Sequence, residues 1–109
     1  MRVRELHPWD LDPQEAMRLQ RELARRVVVA GGPSQVRYVA GADLAFVGSS
    51  RVGGTARAAV VLLSYPELEP VAQVLEEAPV TFPYIPGLLA FREAPALARA
   101  FARLEPAAD

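Results

Sequence analysis

The stretch Tyr38-Val-Ala-Gly-Ala-Asp-Leu-Ala-Phe46 decides how this chain is to be read. Its aromatic and aliphatic residues, with charge confined to Asp43, predict a strand from about Arg37 to Val47. Alternation places Asp43 on one face with Val39, Gly41, Ala45 and Val47, and places Tyr38, Ala40, Ala42, Leu44 and Phe46 on the other. Asp43 is the only acid between Glu22 and Glu67. A carboxylate in an apolar strand loses hydration and needs hydrogen bonds, a cation or a metal to offset that loss. The residues alone leave two readings open: an aspartate bonded to backbone or to an arginine, or a metal ligand.

Outward from this strand, a turn from Gly48 to Gly54 leads into a second strand from Ala56 to Ser64. After Tyr65-Pro-Glu-Leu-Glu-Pro70, a third strand runs from Val71 to Thr81, which predicts an antiparallel meander. Ala58-Ala-Val-Val-Leu-Leu63 is apolar on both faces, as expected of a sheet covered on both sides. Upstream, Asp12 as N-cap, Pro13 at the first helical position and Glu15 in the first turn open a helix to about Val28. Ala16, Leu19, Leu23 and Val27 form its buried stripe, and Arg18, Arg21, Arg25 and Arg26 lie off it. Those arginines read as a solvated surface or as a phosphate-facing patch. Downstream, two helical pieces are predicted, Gly87 to Glu93 and Pro95 to Leu104, because Pro95 lacks an N–H and disfavours helix at Ala94. The fold class is α+β: a three-stranded antiparallel sheet with an N-terminal helix and C-terminal helices, one domain over residues 1–109, with Glu105 to Asp109 as a frayed tail.

Composition narrows the function. The chain has 109 residues, 51% of them hydrophobic, enough for a packed core. It has no run of about 18 or more apolar residues and no signal peptide, so a cytoplasmic protein is expected. Cysteine is absent and His7 is the single histidine, which excludes disulfides and a zinc site built on imidazoles and leaves oxygen ligands for Mg²⁺ or Mn²⁺. His7 itself reads as a surface or packing residue. A net charge of −1 argues against a protein that coats nucleic acid by general phosphate neutralisation. All twelve basic residues are arginine, the side chain suited to bidentate phosphate contacts.

The segment Pro83-Tyr-Ile-Pro-Gly-Leu-Leu-Ala-Phe-Arg-Glu93 is the second informative stretch. Pro83 and Pro86 restrict φ around Tyr84, so its phenol stands on a stiffened turn and suits a wedge or stacking platform, although packing is the commoner role of such a residue. Gly87 allows close backbone approach. Arg92 either neutralises a phosphate or pairs with the neighbours of Glu93, and Glu93 presents a carboxylate at the end of a short apolar turn.

Gly41-Ala-Asp-Leu-Ala-Phe46, Arg57-Ala-Ala-Val-Val-Leu-Leu-Ser-Tyr-Pro66 and Pro83-Tyr-Ile-Pro-Gly-Leu-Leu-Ala-Phe-Arg-Glu93 together resemble endonuclease V in order and spacing, from about Asp12 to Leu104. The resemblance implies a ribonuclease-H-like fold and Mg²⁺-dependent cutting of DNA, or of RNA in some members, near deaminated adenine (inosine). It implies that Asp43 and Glu93 hold the metal and that Pro83, Tyr84, Ile85 and Pro86 form the wedge, with Gly87 and Arg92 beside the nucleic acid.

The family continues into a strand ending in a Val-Asp-Gly-His-Gly type of motif, whereas this sequence ends at Asp109. The third carboxylate, a later lysine and histidine and the base pocket are therefore expected to be missing, leaving the amino-terminal half of an endonuclease V. Weak or absent cutting by the chain alone is expected. A homodimer, or a separate carboxy-terminal half, would close its open strand edge. Two other readings stay open, a nucleic-acid-binding module without catalysis and a structural or interaction remnant.

Overall fold

The computed structural model describes residues 1–48 and 53–109. Element order is α1 (Pro13–Ala24), β1 (Tyr38–Val47), β2 (Thr55–Ser64), β3 (Pro70–Pro79) and α2 (Leu89–Ala102). The strands form one antiparallel sheet in the order β1-β2-β3, as the alternation predicts. The turn expected from Gly48 to Gly54 lies partly outside the described residues.

Helix α1 starts where its signals place it. The Asp12 carboxylate accepts the Glu15 N–H at 2.8 Å and the Glu15 carboxylate accepts the Asp12 N–H at 3.1 Å, a reciprocal capping box. The helix stops at Ala24, short of the expected Val28. Ala16 is buried and Leu19 and Leu23 half-buried, but Val27 is 66% exposed, so the apolar stripe ends before it. With no further face to bury, nothing rewards another helical turn.

Strand β2 is central and its even-numbered residues build the core. Ala56, Ala58, Val60 and Leu62 are buried with Ala78 and Val80 against Ala96, Ala100 and Leu104. Tyr38, Ala40, Leu44 and Phe46 of β1 pack onto the same cluster, so this is the face that α2 covers. The expectation of a sheet covered on both sides does not hold. α1 instead packs Ala16 against Phe82, Leu88 and Phe91, beside the sheet. Val47, Val71 and Leu75 therefore remain exposed on the opposite face.

Two further differences concern the C-terminal region. The expected break after Glu93 is absent, and α2 runs continuously through Pro95. Proline deprives only the Phe91 carbonyl of its partner, and burial of Phe91, Ala96 and Ala100 on either side holds the helix together despite that loss. The segment read as a frayed tail is tied down at its end. The Asp109 carboxylate accepts the Arg37 N–H at 2.6 Å and the Tyr38 N–H at 2.9 Å, and its own N–H donates to the Tyr38 carbonyl at 3.1 Å. These bonds satisfy backbone groups at the start of β1, the edge strand.

Candidate metal and nucleic-acid site

Asp43 sits in the middle of β1, opposite Ala59 of β2, and is exposed rather than buried. Its Oδ1 accepts the Leu44 N–H at 2.8 Å, which draws the carboxylate along the strand and satisfies one of its lone pairs. The desolvation expected of an acid in an apolar strand therefore does not arise, because the carboxylate faces solvent, and among the described residues its second oxygen has no hydrogen-bond partner. Glu93 lies in the second turn of α2 and is half-buried. Among the described residues neither carboxylate takes part in an ion pair.

The two acids are not hydrogen-bonded to each other. Alternation sets Asp43 away from the α2 side of the sheet, whereas Leu44 and Phe46 on either side of Ala45 face that helix. What joins their segments is the Arg92 guanidinium, whose carbon stands 4.5 Å from the Phe46 ring centroid. Oxygen donors without cationic partners fit a hard divalent ion. The two carboxylates stand on separate elements, β1 and α2, and the described residues hold no cluster of three or more His, Cys, Asp or Glu able to enclose a metal.

The turn before α2 follows from its sequence. The Leu88 N–H donates to the Ile85 carbonyl at 2.9 Å, with Pro86 and Gly87 between them. Gly87 has φ +88°, the value that glycine supplies at the third position of a type II turn. Among the described residues, apart from its own chain neighbours, nothing lies within 4 Å of where its Cβ would be, so the backbone angle, not a close approach within the protein, requires glycine here. Tyr84 projects from this turn at 67% exposure, with Pro83 and Pro86 exposed and Ile85 half-buried against the Phe82, Leu88 and Phe91 cluster. Its ring is therefore not core packing.

Arg92 departs from the expected phosphate contact. It is 5% exposed, and its Nη1–H donates to the Phe82 carbonyl at 3.2 Å. Sequence reasoning also missed Gln20, whose Nε2–H donates to the Gly87 carbonyl at 3.0 Å and fastens α1 to the turn. No local signal joins residues 67 positions apart. His7 packs edge-on to Trp9 with centroids 4.4 Å apart, in agreement with the packing reading. A hollow of about 410 Å³ between the N-terminal segment and α2 is lined by Arg4, His7, Trp9 and Arg99 among others, and contains none of the predicted site residues.

An antiparallel three-stranded sheet with a helix on one face, and a proline-bounded turn leading into that helix, is an α+β architecture. The family model for endonuclease V matches residues 21–109, and the chain belongs to that family. The endonuclease V of Dehalococcoides mccartyi is 49% identical over 109 residues, which is all of this chain and 48% of that protein. The chain thus spans about half the length of the curated relatives it matches. Among solved structures, endonuclease V of Bacillus subtilis superposes with a TM-score of 0.83 at 26% identity, over 96% of this chain and 45% of that one. Ciona intestinalis endonuclease V, solved with a 24mer DNA containing an inosine followed by a ribo-adenosine, gives a TM-score of 0.72 at 27% identity, over 85% of this chain and 39% of that one. Among the described residues no helix is long and apolar enough to cross a membrane.

Proposed function

We propose that the chain supplies two metal-binding carboxylates and the strand-entering wedge of an endonuclease that cuts nucleic acid near inosine. The observation that carries this reading is that the family match over residues 21–109 includes Asp43, the Pro83–Pro86 turn and Glu93. Inosine is supported as the lesion by the DNA bound to the Ciona relative.

In this reading Asp43 and Glu93 hold Mg²⁺ or Mn²⁺, which when bound activates water and neutralises charge on the leaving oxygen. Asp43 offers the oxygen not engaged by the Leu44 N–H. Tyr84 stacks on a base beside the lesion, and Pro83 and Pro86 keep its turn from collapsing. The chain alone cuts weakly or not at all, because two carboxylates make an open metal site. The free edge of β1 and the open sheet face suit closure by a second copy or by a separate carboxy-terminal polypeptide.

The test is Mg²⁺- and Mn²⁺-dependent cleavage of labelled inosine DNA by the purified chain, alone and mixed with the carboxy-terminal half of the Dehalococcoides relative. Cleavage in the mixture that disappears in Asp43→Ala and in Glu93→Ala supports the reading. Cleavage undiminished in either variant refutes it. A second reading, nucleic-acid binding without catalysis, draws on the exposed Tyr84 and the absence of a three-carboxylate cluster among the described residues. Lesion-independent binding without cutting in either mixture would select it.

A further inference from the structure

Arg92 is the only charged residue buried among the described ones. Burying a guanidinium is costly unless its donors and its charge find partners. The partners that it has are informative. Phe46, whose ring lies under the guanidinium, is three residues beyond Asp43 on β1. Phe82, whose carbonyl accepts from Nη1, immediately precedes the Pro83–Pro86 turn. Arg92 itself immediately precedes Glu93. One side chain therefore joins the strand of the first carboxylate, the base of the wedge and the helix of the second carboxylate.

We propose that Arg92 is a positioning residue, a buried clamp that sets the Glu93 carboxylate and the Tyr84 turn relative to the strand of Asp43. The proposal rests on the roles given above to those three groups. Arginine suits the task because its planar guanidinium stacks on an aromatic face and donates in its own plane at the same time, which an ammonium cannot do.

The experiment compares wild type, Arg92→Met, Arg92→Lys and Phe46→Leu by amide hydrogen exchange and by Mn²⁺ line broadening in NMR spectra. The Leu88 and Phe91 amides, bonded to the Ile85 and Leu88 carbonyls, report on the turn and the start of α2. The Val60 amide reports on the central strand. Arg92→Met is expected to speed exchange at Leu88 and Phe91 by about tenfold while Val60 is unchanged, with Arg92→Lys between it and wild type. In wild type, Mn²⁺ broadens the Asp43 and Glu93 amides over the same concentration range, and in Arg92→Met those ranges separate. Unchanged exchange at Leu88 and Phe91, or equal acceleration at Val60, would overturn the clamp. So would a salt slope of DNA binding lowered by about 0.7 to 0.9 in Arg92→Met, the mark of a lost phosphate contact. If Arg92→Met does not fold, Phe46→Leu removes the aromatic half of the clamp and is read by the same criteria. Absence of Mn²⁺ broadening in wild type would count against the metal reading alone, since exchange is measured without metal or nucleic acid and still decides the clamp.

Discussion

Replacing Tyr84 with alanine separates a wedge from a packing residue. The side chain is 67% exposed and stands on a turn whose shape comes from Pro83, Pro86 and the positive φ of Gly87. Truncation removes little buried surface, so stability should change by no more than about 0.5 kcal/mol, as for other exposed sites. If the ring stacks on a base, its loss costs about 1 to 3 kcal/mol of binding. At about 1.4 kcal/mol per tenfold change, that is about a 5- to 140-fold rise in Kd. No charge is removed, so the dependence of log Kd on log salt should keep its slope. The assay is fluorescence anisotropy of a labelled inosine-containing single strand titrated with wild type, Tyr84→Ala and Tyr84→Phe, alongside urea unfolding of each. Tyr84→Phe keeps the ring and should bind within about twofold of wild type if stacking, not the hydroxyl, carries the contact. An unchanged Kd for Tyr84→Ala would refute the wedge. A loss of more than about 1 kcal/mol of stability would refute the surface reading of the ring.

Core asymmetry and the Asp109 contact give further tests. Leu62 is fully buried on the α2 face, so Leu62→Ala should cost about 2 to 5 kcal/mol in urea unfolding. Leu75→Ala on the open face, where the side chain is 73% exposed, should cost no more than about 0.5 kcal/mol, and a comparable loss at both would mean that the second face is covered. Hydrogen bonds from the Arg37 and Tyr38 amides hold the Asp109 carboxyl below its ordinary pKa. The unfolded chain therefore binds this proton more readily, and stability from the contact is present above the unfolded value of about 4 and lost as pH falls through the lower folded value. Asp109→Asn should accordingly lower the urea midpoint at about pH 6, and the difference from wild type should shrink as both are taken to about pH 2.5. A difference independent of pH would show that the charge on Asp109 contributes nothing.

Local chemistry determined much of this protein from its sequence. Asp12, Pro13 and Glu15 mark the start of α1 because a helix N-terminus leaves amides that only particular neighbours can satisfy. Alternation in Tyr38 to Val47 sorts the residues of β1 between two faces, and Pro86-Gly87 prescribes its turn, because these constraints act within a few residues. Which face would be covered was decided by the tertiary structure, since β2 is apolar on both sides and only the docking of α2 distinguishes them. Pro95 looked like a break, yet the packing of Phe91, Ala96 and Ala100 outweighs one missing hydrogen bond. Arg92 read as a phosphate contact or as a partner for the neighbours of Glu93, but Phe46 and the Phe82 carbonyl, which it meets, lie elsewhere in the chain. The bonds of Asp109 to Arg37 and Tyr38, and of Gln20 to Gly87, likewise span long stretches of chain. Contacts between residues far apart in sequence leave no periodicity or local motif, so only the folded chain reveals them.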